Sequence, residues 1–213
     1  MKKLLCMICC LCLLVPAAVS AERKVITALA SEINPGALAS VSVNALVRSY
    51  NREDNTMTVE LIIPETYDAY ETESLQVGDA IYTQGQEVTI ENIVKDYGDI
   101  ILNQRDPEDP TGTIMLYQDS DLNYRIMADG DHTWTSLGTV KIPVSDRMLF
   151  LDGISPSTGE SLDLPAVRSL REFVAELEGT DIVGPGFAQK NVTVVIDEYG
   201  TLALVQRFYV PWQ

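Results

Sequence analysis

The chain has 213 residues, of which 46% are hydrophobic and 22% are charged, so it is long enough to bury a core without disulfide bonds. Its 31 acidic and 15 basic residues give a formal net charge of −16. A surface of that charge disfavours binding to nucleic acid and to anionic lipid. It can attract cations or basic proteins, or it can serve only to keep the protein solvated.

Residues 1–21 have the pattern of a signal peptide. Lys2 and Lys3 precede an apolar stretch that is too short to span a membrane, and small residues up to Ala21 fit a cleavage site. All four cysteines lie in this segment, so the mature chain is predicted to have no disulfide and no thiol site. Cleavage leaves 13 basic against 31 acidic residues, a net charge of 13 − 31 = −18. We therefore expect a soluble protein without a membrane span, secreted or held in the cell envelope of a bacterium and cleaved after Ala21.

The first half of the mature chain has the alternation of β-strands. Apolar residues alternate with polar ones at 41–47 and at 57–63, on either side of a polar turn. Three more short apolar runs with tight turns follow at 80–102. Residues 22–104 are therefore interpreted as an N-terminal part that resembles a small β-barrel.

A polar, proline-containing loop at 104–112 is the predicted boundary to a second part, residues 105–213. Further strands with turns are expected there, followed by a helix and a hairpin. The alternative is that residues 105–213 form one continuous domain with residues 22–104.

The last fifty residues predict the clearest elements. Apolar residues spaced by three and four predict an amphipathic helix over 164–178, with Asp163 as its N-cap. The β-branched run 192–196, a turn at 197–200 and a second apolar run predict a C-terminal β-hairpin on which the helix packs. The predicted fold class is thus mainly β (α+β), a small antiparallel barrel or sheet architecture with one helix.

Catalytic and zinc-binding motifs are missing from this sequence. It contains no nucleophile elbow, and its only histidine, His132, is expected on the surface of a strand. One histidine without a mature cysteine does not supply three such ligands for zinc. No cofactor is therefore predicted, with calcium as the one ion whose oxygen ligands are plentiful.

The candidate calcium ligands are Asp119, Asp121, Asp129 and Asp131. Asp119 and Asp121 begin like an EF-hand loop, but the glycine and the final glutamate of such a loop are missing. An irregular site in these turns remains the metal hypothesis, and solvated turn aspartates are its alternative.

Aromatic side chains provide the other candidate site. Tyr67, Tyr70 and Trp134 can offer stacking faces to a sugar or a peptide. The leading functional hypothesis is a secreted, non-enzymatic binding or envelope-associated protein with an extracellular protein or glycan as partner. The alternative is a small secreted hydrolase of glycosidase type that uses paired carboxylates.

Overall fold

The structure is a computed structural model and describes residues 23–106, 108–109, 111–128, 131–179 and 186–209. Within these residues the protein is mainly β, as predicted, with three sheets and two short helices. The predicted signal peptide, residues 1–21, lies outside the described residues.

The described elements are fifteen strands and two helices. Their order is β1 (Val25–Thr27), β2 (Val41–Asn51), β3 (Thr56–Pro64), β4 (Thr66–Tyr67), α1 (Ala69–Glu73), β5 (Ala80–Thr83), β6 (Gln86–Thr89), β7 (Ile93–Asp96), β8 (Asp99–Leu102), β9 (Ile114–Gln118), β10 (Tyr124–Ala128), β11 (Asp131–His132), β12 (Trp134–Ile154), β13 (Ser161–Ser169), α2 (Leu170–Leu177), β14 (Val192–Ile196) and β15 (Leu202–Arg207).

One sheet closes nearly completely on itself, and we call it the ring. Its strands pair in the order β13-β12-β15-β14-β2-β3, and β12 pairs with β3 as well. Closure depends on the length of β12, because its segment 134–143 pairs with β3, and Val144 and residues 149–152 pair with β15. The ring proper therefore consists of β12, β15, β14, β2 and β3, and β13 is added to β12 as an edge strand.

Alternating side chains fill the inside of the ring. Along β2 and the start of β3 every second residue is buried, which is the period of a strand with one face in a core. Burial of each large aliphatic side chain contributes about 1.5–3 kcal/mol. Phe150, Phe173 and Phe187 pack against one another in the same core, with ring centroids 4.8 to 5.5 Å apart.

The chain between β3 and β12 builds a second hydrophobic cluster together with β1. A sheet of order β11-β10-β9-β8-β7, with β4 beside β10, and a smaller sheet β1-β5-β6 surround it. Tyr67, Leu102, Leu116 and Ile126 are among its fully buried side chains.

Strand pairing crosses the boundary that the sequence predicts near residue 104. β3 pairs with β12 and β2 pairs with β14, so the ring takes strands from both ends of the chain. β8 pairs with β9, so the loop at 104–112 joins two neighbouring strands of one sheet.

The amphipathic helix is present but begins later than predicted. α2 starts at Leu170, and its N-cap is Ser169 rather than Asp163. Leu164 and Val167, expected on the buried stripe, belong to β13 and are 82% and 68% exposed. The reason is the capping box, in which the carboxylate of Glu172 accepts the N–H of Ser169 at 2.8 Å.

The true apolar stripe of α2 is Leu170, Phe173, Val174 and Leu177, with the spacing i, i+3, i+4, i+7. These side chains pack into the ring core that β14 and β15 also form. The helix therefore covers the same core as the C-terminal hairpin, and that hairpin is itself confirmed.

The acidic segment 64–76, which lacks a strand or helix pattern in the sequence, contains two elements. These are β4 and the five-residue helix α1, which Asp68 caps by accepting the N–H of Glu71. Helices this short depend on such caps and on packing, so hydrophobic periodicity gives no signal for them.

Candidate functional site

A groove of about 660 Å³ lies where the second half of β12, the end of β13 and the start of α2 meet the end of β2. We call it the arginine groove, and residues 50, 52, 146–149, 169–171 and 174 line it. Its volume falls within the range of about 300–1,000 Å³ that is usual for ligand sites.

A bulge in β12 forms one wall of the arginine groove. The pairing of β12 with β15 passes from Val144–Leu202 directly to Leu149–Leu204. Residues 145–148 therefore stand opposite a single residue of β15. Bulges bend a strand and redirect its side chains, and they are frequent beside functional sites.

Asn55 fixes the start of this bulge. Its side-chain amide donates to the carbonyl oxygen of Val144, and the N–H of Val144 donates to the carbonyl oxygen of Asn55, both at 2.9 Å. The hydroxyl of Tyr50, a lining residue, donates to Oδ1 of Asn55 at 2.7 Å. Two hydrogen bonds thus hold the turn after β2 to the beginning of the bulge, and the third orients the Asn55 side chain.

The floor of the arginine groove is apolar and continuous with the ring core. Met148 and Val174 are buried members of that core, and Tyr50 and Leu170 are partly buried against it. Leu149 remains exposed beside them. A ligand that lies on this floor can bury apolar surface, which contributes about 25 cal/mol per Å².

Most basic side chains of the described residues already have partners. Carboxylates pair with Arg23, Arg48, Arg52, Arg105, Arg125, Lys141, Arg168 and Arg207. Lys24 and Lys95 donate to backbone oxygens. Arg147 and Arg171 differ, because their side chains make no hydrogen bond or ion pair within the described part of the chain, and both line the arginine groove.

The other charged side chains of the arginine groove are Arg52 and Asp146. Arg52 donates to Glu178 at 2.6 Å, and this contact raises the pKa of the guanidinium. Its charge is therefore balanced within the protein. Arg147 and Arg171 together exceed the single carboxylate of Asp146, which leaves a local positive excess on a protein of net charge −16.

The N-terminus of α2 is not itself an open anion site. Ser169 accepts the N–H of Glu172, and Glu172 returns its carboxylate to the hydroxyl of Ser169 at 2.7 Å. This reciprocal capping lowers the pKa of Glu172, first through the backbone N–H of Ser169 and then through its hydroxyl. The capacity of the groove for an anion therefore rests on its arginines.

A buried ion network holds α2 on the ring. Asp152 of β12 accepts two hydrogen bonds of 2.9 Å from the guanidinium of Arg207, and it pairs with Arg168 of β13 at 3.2 Å. Both arginines also pair with Glu176 of α2. Arg207 lies 4.5 Å from the ring centroid of Phe187. The network joins β12, β13, β15 and α2, and it thereby fixes the helix that carries Arg171.

A second groove of about 370 Å³ lies on the other hydrophobic cluster and is lined by acidic residues. Glu73, Asp96 and Asp99 line it together with Tyr97 and Tyr124. Burial, and after it the charge of Glu73, raises the pKa of Tyr124. A glycosidase needs one carboxylic acid with a raised pKa. Among the described residues, the carboxyl groups with a shifted pKa are those of Asp54, Glu60, Asp109 and Glu172. In each of them the pKa is lowered.

The three aromatic residues predicted to bind a ligand do not share one environment. Tyr67 is fully buried, and its hydroxyl lies 2.8 Å from the carbonyl oxygen of Tyr82, so it offers no face to solvent. Tyr70 is 82% exposed on α1, and Trp134 is half-buried at the start of β12. Neither Tyr70 nor Trp134 lines the arginine groove.

The predicted calcium ligands receive no support from the described residues. Asp119 is committed to its own turn, because it accepts the N–H groups of Asp121 and Asn123 and pairs with Arg125 at 3.0 Å. Asp129 and the side chain of Asp131 lie outside the described residues. Within the described ranges, no group of three or more His, Cys, Asp or Glu side chains has an arrangement that could hold a metal ion.

His132 lies on β11, where its Nδ1 is 3.2 Å from the hydroxyl of Tyr117.

Sequence reasoning missed Arg147 and Arg171, since single exposed arginines in an acidic chain carry no motif. One signal was available: the Ser169-x-x-Glu172 capping box marks the true start of α2 and hence the position of Arg171.

Comparison with family models, with curated proteins and with solved structures finds no match to this chain. In the part of the chain that the structure describes, no helix has the length and hydropathy needed to cross a membrane.

Proposed function

We propose that this is a secreted, non-enzymatic binding protein of the cell envelope or extracellular space, and that the arginine groove receives its ligand. The observation that carries the proposal is the convergence of Arg147 and Arg171 on one apolar groove. Export is supported by the signal-peptide pattern of residues 1–21.

The chemistry of the groove favours a ligand with an anionic group and an apolar body. A hydrogen bond to a charged group contributes about 1.5–3 kcal/mol, so the two arginines together are expected to strengthen the binding of one anionic group by about tenfold or more. An extracellular protein with such a surface fits this chemistry better than an uncharged glycan. The hydrolase alternative rests on the acidic groove alone, where Glu73, Asp96 and Asp99 lie together with Lys95.

The test is a titration of the mature chain, residues 22–213, with anilinonaphthalene sulfonate, an apolar dye that carries one anionic group. We expect saturable binding that weakens about tenfold or more in the double variant Arg147→Gln/Arg171→Gln. Arg23→Gln, which removes an exposed arginine far from the groove, is the matched control and should bind as the parent does. Equal binding by all three proteins would overturn the proposal.

A further inference from the structure

The backbone around the arginine groove points to the class of its ligand. Residues 145–148 of β12 have no strand partner in the ladder, since pairing with β3 ends at Pro143 and pairing with β15 resumes only at Leu149. Within this bulge the N–H of Arg147 donates to Oγ of Ser145 at 3.2 Å, so a chain that lies along the bulge can pair only with the other backbone groups that the ladder leaves unpaired.

A second unpaired edge borders the same groove. β13 ends the strand order of its sheet, so within the described residues only β12 pairs with it. Pro165 lacks an N–H and discourages strand addition at the middle of β13. The stretch 166–168, which leads to Ser169 in the groove wall, has no proline, whereas the N–H of Ser169 itself is already accepted by Glu172. An extended peptide can add to an edge of this kind through main-chain hydrogen bonds.

The side chains define what that peptide must carry. Arg147 and Arg171 have no carboxylate partner in the described part of the chain, and each guanidinium can hold a carboxylate with two hydrogen bonds. Met148, Leu149 and Leu170 offer an apolar surface between them. Acidic side chains alternating with aliphatic ones match this arrangement, because successive side chains of an extended peptide point to opposite sides.

Resting on the proposed function, we infer that the arginine groove binds a short, extended, acidic segment of a partner protein, with aliphatic residues between its carboxylates. The peptide lies along the bulge of β12 and the end of β13. Its carboxylates pair with Arg147 and Arg171, and its aliphatic side chains cover the floor at Met148.

The experiment is isothermal titration calorimetry with a panel of end-blocked five-residue peptides. The panel alternates leucine with glutamate or aspartate, and its counterparts carry glutamine in place of the acid or alanine in place of leucine. We expect the acidic leucine peptides to bind at least tenfold more tightly than either counterpart. Arg147→Gln/Arg171→Gln should lose that preference, and Arg23→Gln should keep it.

Salt provides a second readout. The preference for the acidic peptides should decrease as salt is added, because exposed ion pairs are screened over about 8–10 Å at physiological ionic strength. Thermal melts should show all variants folded. Arg147 and Arg171 are exposed without partners in the described residues, and Arg23 makes an exposed ion pair with Glu87, so each exchange should change stability by no more than about 1 kcal/mol.

Three outcomes separate this inference from the function on which it rests. Acidic and glutamine peptides that bind equally would overturn the inference and leave an apolar groove. If dye binding depends on Arg147 and Arg171 but no acidic peptide binds up to millimolar concentration, the inference of a peptide ligand is wrong. The proposal that the groove binds an anionic group would then stand. Failure of the dye as well would remove both proposals.

Discussion

Two buried carboxylates, Asp152 in the ring and Glu65 at the junction of the ring with the second cluster, are accommodated in opposite ways. Asp152 meets the guanidinium groups of Arg207 and Arg168. Glu65 meets only neutral donors in the described residues. These are the hydroxyl of Thr83 at 2.5 Å, the N–H of Gln84 at 3.0 Å, the hydroxyl of Tyr67 at 3.2 Å and that of Thr135 at 3.4 Å. Both carboxylates are hydrogen-bonded, but only Asp152 is balanced by positive charge.

The difference follows from what each carboxylate connects. Asp152 joins three strands and a helix around one core, and long arginine side chains span those separations. Glu65 joins the start of β4 to the turn after β5 and to β12, where short side chains and a backbone N–H suffice. A paired buried charge adds little net stability yet is costly to break, whereas an acceptor held by rotatable hydroxyls tolerates exchange better.

Removal of the charge of Asp152 should have the largest effect on stability. In Asp152→Asn, Arg207 stays fully buried and keeps its ion pair with Glu176 but loses the one with residue 152. The new side-chain amide also places N–H donors next to the N–H donors of the guanidinium. We expect the free energy of unfolding to fall by about 3–5 kcal/mol, measured by urea denaturation. Asp163→Asn, the same exchange at an exposed position of β13, should stay within about 0.5 kcal/mol. A loss below about 1 kcal/mol in Asp152→Asn would mean that solvent screens the network.

Glu65→Gln should lower the free energy of unfolding by less than Asp152→Asn does. In Glu65→Gln the remaining oxygen can still accept the N–H of Gln84, and the new amide can donate to the hydroxyl oxygens of Thr83 and Tyr67. We expect a loss of about 1–2 kcal/mol by the same urea measurement. If Glu65→Gln loses as much stability as Asp152→Asn, the negative charge of Glu65 stabilises the fold even though no basic side chain of the described residues pairs with it.

The parts of the fold that local chemistry dictates could be predicted from sequence. The hairpin of β14 and β15 combines a β-branched run with a turn in which Gly200 has a φ of 76°, a conformation that favours glycine. The helix was predicted six residues too early, because Asp163 and Pro165 imitate a helix start. Ser169 and Glu172 make the real cap, and the pairing of β13 with β12 extends the preceding residues.

The arrangement of the strands and the candidate site could not be predicted in this way. Ring closure depends on a 21-residue strand that changes partners at Val144, and alternation alone does not specify partners. Arg147 and Arg171 are brought to one groove by the bulge and by the pairing of β12 with β13. The predicted sites at Tyr67 and Asp119 involve residues whose polar atoms already have partners inside the protein.

The exposed carboxylate of Glu172 is expected to have a smaller effect on stability than the buried carboxylates of Asp152 and Glu65. The folded state lowers the pKa of Glu172 below its ordinary value of 4.5, chiefly through the N–H and hydroxyl of Ser169. A group with a depressed pKa in the folded state stabilises the protein above its unfolded pKa, and that stabilisation is lost as the pH falls through the folded pKa. The effect is confined to acid, so neutral pH retains all of it.

Glu172→Gln should therefore lower the urea midpoint slightly at neutral pH. The difference from the parent should decrease as the pH falls below the ordinary pKa of a glutamate, and it should vanish once the pH is below the folded pKa of Glu172. The matched control is Glu53→Gln, at a solvent-exposed turn where the carboxylate makes no contact with other described residues. Its difference from the parent should be smaller at neutral pH. A difference for Glu172→Gln that persists unchanged in acid would show that the glutamine disturbs the helix start itself, because an uncharged Glu172 can no longer provide a charge-dependent cap.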